Sequence, residues 1–361
     1  MPNANSKKEN EIKKKIYENL VKKSLDPNSP SYDTWIFENY TKERLKSLGI
    51  IHWKQSIPFV KNVKFSQIKY FLACYPLKRL NEYPRYVTPD FEPFDPLELA
   101  KETEKAVTRR GPEGLERKYE DFYATGVYGG IATGYCVGCC FRCVFCWVSW
   151  ARDFPEKFGR FHSPEKAFNQ LREAAHRHKV NKLRISGAEP TLGRDHLLRL
   201  LEYVEESEFP LFILETNGIL FGVDKGYVKE IAKFTKPHVR VSLKAGTPED
   251  FTKKTGAKPE AFEIPFQAIR NLLDHNISFH VASMSADPRI MTPEERNNLM
   301  QKLVEIDPHL LLNLEEEVMD GYNTTIARLK FAGLKVKWPL KQAYAPIKEL
   351  LRKSKNYSGP S

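Results

Sequence analysis

The sequence predicts an α/β fold, an incomplete TIM-like barrel of six strand–helix units, and two observations lead to it. Downstream of residue 125, short apolar runs alternate with amphipathic segments about six times, which is typical of a parallel sheet whose strands are joined by crossover helices. About six such units in roughly 200 residues suit an open relative of the eight-unit barrel. A doubly wound sheet is the alternative arrangement of the same alternation.

The predicted strands are short apolar runs that end in small or polar residues. They are GVYGGIATGY, NKLRISG, PLFILETNG, HVRVSLKAG, ISFHVASM and HLLLNLEEE, with LKVKW as a last short strand. The helices predicted between them cover 163–178, 194–206, 225–234, 259–275, 292–306 and 323–333. Upstream, Asp95 is expected to cap a helix that begins at Pro96. In such folds the active residues lie at the carboxyl ends of the strands and in the loops that follow.

Three segments are predicted along the chain of 361 residues: a mixed, partly helical extension over 1–124, the core barrel over 125–320, and a basic segment over 321–361 that packs on the barrel. A hydrophobic fraction of 41% and a charged fraction of 29% are ordinary for a protein with a buried core. No apolar run is long enough to span a membrane, and no apolar run follows the first lysines. We therefore expect no transmembrane segment, no secretory signal and a cytoplasmic location.

The net charge of +11 is concentrated at the two ends of the chain. Residues 328–361 carry +8, and residues 1–23, predicted as an amphipathic helix, carry +4. Cations interleaved with aromatic rings attract nucleic acid, so RNA or another anion is a candidate partner. The alternative is a solvated lysine-rich surface with a C-terminal helix that packs Ile347, Leu350 and Leu351 on the barrel. The cations in question surround Trp338 and Tyr344 and are Arg328, Lys330, Lys335, Lys337, Lys341, Lys348, Arg352, Lys353 and Lys355.

Five of the six cysteines lie in one short segment after the first predicted strand of the barrel, which indicates thiolate ligands rather than disulfides. Structural zinc would use two CxxC pairs, but these pairs stand closer together than in zinc ribbons. A ferredoxin-like register would use Cys140, Cys143 and Cys146, but no fourth cysteine and proline follow it. The third register is Cys139, Cys143 and Cys146, which leaves Cys136 and Cys140 as surplus residues.

The third register, with Phe145 before its last cysteine, resembles the radical S-adenosylmethionine (SAM) enzymes. That resemblance implies a [4Fe–4S] cluster on Cys139, Cys143 and Cys146, with its fourth iron open to SAM. The run Gly187-Ala188-Glu189-Pro190 resembles the family's glycine-glycine-glutamate-proline motif, which holds the methionine amino group; Ala188 replaces the second glycine. The resemblance implies further SAM contacts at the ends of the next strands, namely Thr216, Asn217, Ser242, Lys244 and Met284. It also implies that Phe145, beside the cluster, meets the adenine.

The resemblance covers about residues 125–320, a little over half of the chain. It implies reductive cleavage of SAM to a 5′-deoxyadenosyl radical, which removes a hydrogen atom from an unidentified substrate. It also implies a low-potential electron donor of the ferredoxin or flavodoxin type. The subgroup that the sequence resembles most is archaeal in type, with Trp147 after the cluster motif and a Ser-Leu-Lys strand end.

Two alternatives stay open at this stage. One is a tRNA-modifying enzyme, although wyosine-building enzymes bind a second cluster through N-terminal cysteines and only Cys74 lies upstream here. The other is a non-catalytic Fe–S or nucleic-acid-binding protein. One of the glutamates at 315–317 is a candidate substrate contact, with a solvated acidic turn as the alternative.

Overall fold

The computed structural model describes residues 80, 83–112 and 114–355 of the chain. Side chains are described as far as residue 351. The helix predicted at 1–23 and Cys74 lie outside the described residues. The described part is a mixed α/β structure around one nine-stranded sheet, as the strand–helix alternation predicts.

Six strands of the sheet run parallel to one another in chain order, β3-β5-β6-β7-β8-β9, and helices connect successive strands. Three antiparallel strands extend the sheet beyond β3: β2 pairs with β3, and both β1 and β4 pair with β2. The strands are β1 Thr108–Gly111, β2 Gly114–Thr125, β3 Ile131–Cys136, β4 Arg160–His162, β5 Lys182–Gly187, β6 Leu211–Thr216, β7 Pro237–Leu243, β8 Phe279–Ser283 and β9 Glu315–Glu316.

The helices cover the sheet and begin where the sequence places capping residues. Asp95, Ser163 and Thr292 each cap a helix whose first residue is proline, because a side-chain oxygen there accepts from the first free backbone N–H groups. The helices are α1 Pro96–Val107, α2 Pro164–His178, α3 Arg194–Glu205, α4 Ile219–Val223, α5 Lys225–Ile231, α6 Pro248–Thr255, α7 Ile264–Asp274, α8 Pro293–Ile306, α9 Asn323–Phe331 and α10 Ile347–Lys355. Short 3-10 turns cover Val127–Gly129, Pro259–Glu263 and Pro308–Leu311.

Two predicted strands are wrong. In HLLLNLEEE the chain first forms a 3-10 turn, because the Asp307 side chain accepts from the backbone N–H of His309, and only Glu315–Glu316 pair with β8. LKVKW forms no strand: Gly333 turns the chain at a φ of +74°, and Leu334 is exposed. The antiparallel strands β1 and β2, and helices α4 and α6, have no counterpart in the sequence prediction.

The residues after α9 pack against the connection between β8 and α8. The guanidinium of Arg289 lies 4.3 Å from the ring centre of Trp338, and that of Arg296 lies 5.2 Å from that of Tyr344. The Tyr344 N–H donates to the Ala286 carbonyl at 2.9 Å. In α10, Ile347 packs on the core whereas Leu350 is exposed, so the predicted packing of Leu350 is wrong.

Within the described residues, no helix combines the length and the apolar character that a membrane crossing requires.

The loop after β7 lies directly against α8, because Gly246 has no side chain. A Cβ at this position would stand 2.1 Å from the Glu295 carbonyl oxygen. Glu295 also accepts from the Gly246 N–H at 2.9 Å and binds the buried Lys254 ammonium at 2.6 Å. The backbone carbonyl of Lys254 in turn accepts from Val144 in the cysteine segment, so this contact helps to position that segment.

We predict that Gly246→Ala lowers the free energy of unfolding by about 1–3 kcal/mol or more, because the added methyl group overpacks a backbone contact. Chemical denaturation measures the change. The matched control is Gly126→Ala, where φ is −75° and no atom lies within 4 Å of a Cβ. The control is expected to stay within about 0.5 kcal/mol of the parent protein; equal losses in both variants would contradict the contact.

Candidate functional site

A cavity lies at the carboxyl ends of the parallel strands. It is lined by the three cysteines of the third register and by every predicted SAM contact except Pro190. These residues are Cys139, Cys143, Cys146, Phe145, Gly187, Ala188, Glu189, Thr216, Asn217, Ser242, Lys244 and Met284. The structure therefore brings together at one place residues that are spread over about 145 positions of the sequence, as the strand ends of a parallel sheet allow.

The turn after β5 lies close to the end of β3 because Gly187 lacks a side chain. Its φ is +96°, and a Cβ would stand 2.9 Å from the Cys136 carbonyl oxygen. That carbonyl accepts from the Ala188 N–H at 3.2 Å, and the Gly138 carbonyl accepts from the Glu189 N–H at 2.9 Å. Only glycine adopts this backbone conformation without strain. The contact sets the turn directly beside the cysteine segment.

The five cysteines differ in their access to the cavity. Cys139, Cys143 and Cys146 line it, whereas Cys136 and Cys140 are fully buried and do not. No three histidine, cysteine, aspartate or glutamate side chains converge on a single-ion site in the described parts of the chain.

The Cys139 sulfur is surrounded by hydrogen-bond donors. The Phe141 N–H lies 3.4 Å from it and the Asn217 amide nitrogen 3.7 Å, while the same amide lies 3.2 Å from the Cys140 sulfur. A hydrogen bond from Cys140 lowers the pKa of Cys139 to about 7 against the opposing effect of burial. Burial raises the pKa of both Cys136 and Cys143 to about 12. A bound metal deprotonates a coordinating thiol, so the value at Cys143 does not oppose its role as a ligand.

Glu189 is a buried hub between the ends of β5 and β6. Its carboxylate accepts from the Thr191 hydroxyl at 2.6 Å, the Thr191 N–H at 3.1 Å, the Thr216 hydroxyl at 2.7 Å and the Asn217 N–H at 2.8 Å. The side chains of Thr216 and Asn217 are thus engaged with Glu189 and the cysteine sulfurs. Their contact with the ribose of SAM stays a prediction.

Ser242 and Lys244 lie two positions apart at the end of β7. The Lys244 ammonium donates to the Ser242 hydroxyl at 2.5 Å. Both line the cavity, as do Phe145 and Met284. The cavity therefore offers one cationic and hydroxylic wall and two apolar side chains. Such a pair of surfaces suits a ligand with a carboxylate or hydroxyl groups at one end and an aromatic base at the other.

One face of the sheet carries ion pairs that the sequence analysis did not predict. Arg184 pairs with Glu215 at 2.9 Å, and Arg240 pairs with Glu315 at 2.9 Å and with Glu317 at 2.7 Å. Arg184 and Glu215 lie on the neighbouring strands β5 and β6, whereas Arg240 on β7 reaches across β8 to Glu315 on β9 and to Glu317 just after it. No local motif marks either pairing. The available signal is a single charged residue inside an otherwise apolar strand, as at Glu215 of β6 and Arg240 of β7.

Glu315 and Glu317 have opposite pKa shifts. Burial raises the pKa of Glu317, which lines the cavity. For Glu315 burial acts in the same direction, but hydrogen bonds from His280 and Arg240 outweigh it and lower the pKa to about 2. Of the three glutamates at 315–317, Glu317 is the one that lines the cavity.

The prediction that Arg328 is one of the cations available to bind RNA or another anion is wrong. Arg328 is 2% exposed and donates to the carbonyls of Cys146 and Ser149 and to the Asp153 carboxylate. An arginine with these partners cannot contact a polyanion in solution. RNA binding by the segment stays a prediction, and its exposed candidates in the described residues are Lys330, Lys335, Lys337, Lys341 and Lys348.

We predict that Glu189→Ala lowers the free energy of unfolding by at least about 2 kcal/mol, because it leaves buried donors without their acceptor. Glu173→Ala on the exposed surface of α2 is the control and is expected to change stability by less than about 0.5 kcal/mol. Thermal or chemical denaturation compares the two. Similar stability in both variants would refute the role of Glu189 as a hub.

Part of the chain is similar to known proteins. A family model described as the Radical SAM superfamily matches residues 135–305. No curated protein matches the chain. Among solved structures the chain is similar to anSMEcpe with bound AdoMet, at 16% identity and a TM-score of 0.38, over 50% of this chain and 49% of that chain. It is also similar to TYW1 with a lysine-pyruvate adduct, at 15% identity and a TM-score of 0.37, over 61% and 80% of the two chains.

A third similar structure is Streptococcus suis SuiB bound to S-adenosylmethionine, at 17% identity and a TM-score of 0.31, over 56% and 52% of the chains. The chain spans about half the length of anSMEcpe and of SuiB. At these TM-scores the structural likenesses carry no part of the assignment, which follows from the family model. Residues 135–305, a little under half of the chain, match the radical SAM family, whose members use a [4Fe–4S] cluster and SAM.

Proposed function

We propose that the cavity binds a [4Fe–4S] cluster and SAM side by side, and that the six parallel strands form an incomplete (β/α)6 barrel around them. One observation carries the proposal: the cysteine register and nine of the ten predicted SAM contacts line a single cavity. The domain limits 1–124, 125–320 and 321–361 belong to the same proposal. The alternative of a non-catalytic Fe–S or nucleic-acid-binding protein has no support.

Cys139, Cys143 and Cys146 hold the cluster in this proposal. These three residues line the cavity, whereas the surplus Cys136 and Cys140 are buried and do not line it. When bound, the cluster supplies the electron that cleaves SAM, and the 5′-deoxyadenosyl radical so formed removes a hydrogen atom from the substrate. The electron comes from a low-potential donor of the ferredoxin or flavodoxin type.

The strand ends position SAM. The turn Gly187-Ala188-Glu189 presents backbone carbonyls and a carboxylate to the methionine amino group, beside the cysteine segment. Lys244 and Ser242 bind the carboxylate and the ribose hydroxyls. Phe145 and Met284 flank the adenine and exclude water from it.

The substrate of this proposal is a polar molecule. Glu215, Arg240 and Glu317 line the cavity beyond the predicted SAM contacts, and each of them takes part in an ion pair. Buried charges cost several kcal/mol unless they are paired or bind a ligand. A wall of this kind recognises charged or hydrogen-bonding groups and disfavours a lipid tail.

We predict that the reconstituted, reduced enzyme converts SAM to 5′-deoxyadenosine slowly without its substrate. Alanine at Cys139, Cys143 or Cys146 is expected to abolish both bound iron and this activity, since each variant removes one of three ligands. Cys136→Ala and Cys140→Ala are the matched controls in the same segment and should keep most of the iron. Iron and sulfide analysis and chromatography of the nucleoside measure the two quantities.

Two outcomes would contradict this assignment. A protein that holds a cluster but never forms 5′-deoxyadenosine is not the proposed enzyme. Loss of iron in Cys140→Ala together with full iron in Cys139→Ala would mean that the ferredoxin-like register is the correct one.

We predict that Lys244→Met weakens SAM binding about tenfold to hundredfold, because a hydrogen bond to a charged group contributes roughly 1.5–3 kcal/mol. Iron content should not change, since Lys244 binds only Ser242 in the described structure. Lys229→Met, exposed on α5, is the control and should bind SAM normally. Equilibrium dialysis with labelled SAM gives the affinities, and equal values for both variants would remove Lys244 from the site.

A further inference from the structure

Each of the three proposed ligand cysteines has its backbone carbonyl bound by a different buried arginine. Arg142 Nη1 donates to the Cys139 carbonyl at 2.8 Å, and Arg152 Nη1 donates to the Cys143 carbonyl at 2.6 Å. Arg328 Nη1 donates to the Cys146 carbonyl at 2.7 Å. All three arginines are at most 2% exposed.

The three arginines come from different parts of the chain. Arg142 and Arg152 belong to the cysteine segment itself, and Arg142 Nε also binds the Pro84 carbonyl in the upstream extension at 3.0 Å. Arg328 lies in α9, 182 residues after Cys146 and beyond the stretch matched by the family model. The segments that flank the radical SAM domain therefore take part in fixing the carbonyls of the cysteine segment.

The arginines carry more positive charge than their neighbours neutralise. Asp153 is fully buried and pairs with both Arg152 and Arg328, but it supplies a single negative charge against three positive ones. A fourth arginine, Arg85, is matched by its own partner Glu156 at 3.2 Å. Two buried donors, Arg142 Nη2 and Arg328 Nε, have no hydrogen-bond partner in the described structure. Buried, uncompensated positive charge is costly, so this region calls for an anion.

We propose that Arg142, Arg152 and Arg328 are positioning residues that hold the three ligand cysteines and supply the countercharge for the cluster, which makes its reduced state accessible. The proposal rests on the proposed function. Three thiolates give the loaded site a negative charge, and reduction adds another electron. Fixed cations in a buried, weakly polarisable environment stabilise the more negative state, so they raise the reduction potential.

The experiment compares charge-removing and charge-retaining variants at two of these positions in the reconstituted full chain. Arg328→Gln and Arg142→Gln are expected to shift the midpoint potential of the cluster to more negative values, whereas Arg328→Lys and Arg142→Lys restore most of the parent value. The potential is measured by redox titration monitored by electron paramagnetic resonance. Iron per chain is determined in parallel, so that a variant that fails to fold is recognised and the other position decides.

The control is Arg199→Gln, which removes the same charge from an exposed side chain of α3 and should leave the potential unchanged, because water and salt screen it. If glutamine and lysine variants both keep their iron and share the parent potential, the countercharge role is overturned while the proposed function stands. If the lysine variants behave like the glutamine variants, the arginines act by geometry alone, which also overturns it. A parent protein without a SAM-responsive cluster overturns both proposals.

Discussion

The close approach of the β5 turn to the end of β3 is the constraint on which the rest of the site depends. Because Gly187 has no Cβ, the Cys136 carbonyl and the turn backbone lie within hydrogen-bonding distance. The segment that carries the cysteines leaves β3 at this point, so cluster ligands and turn share one backbone contact. Glu189 then extends the contact to the end of β6 through Thr216 and Asn217. The Asn217 amide beside the Cys139 sulfur is thus positioned by Glu189.

The local motifs of the site could be predicted from the sequence because their members are neighbours in the chain. The spacing of Cys139, Cys143 and Cys146, and the Gly187–Pro190 turn, each lie within a few residues of one loop. Most strands and helices are also predictable, since their apolar period is local. The structure assembles these pieces as a parallel sheet dictates, with successive strand ends at one edge.

The remaining features lie beyond local pattern. Arg184 meets Glu215 because β5 and β6 are neighbours, and Arg240 meets Glu317 across the intervening β8. In the sequence, each of these charges alone has the pattern of a surface residue. In the sequence, Arg328 cannot be distinguished from the other basic residues of the C-terminal segment. Its acceptors include backbone carbonyls, which every residue type has, so they leave no sequence signal. The strand at 309–317 is shorter than its apolar composition suggests, because Pro308 and the Asp307 side chain favour a turn first.

The position of Arg328 has a consequence for the order of events during synthesis. At usual elongation rates of about 5–20 residues per second, the ribosome adds Arg328 roughly 10–40 s after Cys146. Throughout that interval the nascent cysteine segment has at most two of its three carbonyl anchors, because the one from α9 has not yet been made. The segment therefore reaches its final geometry only when most of the chain has been made, and a complete loop is available for iron and sulfide late in translation rather than during the emergence of the sheet.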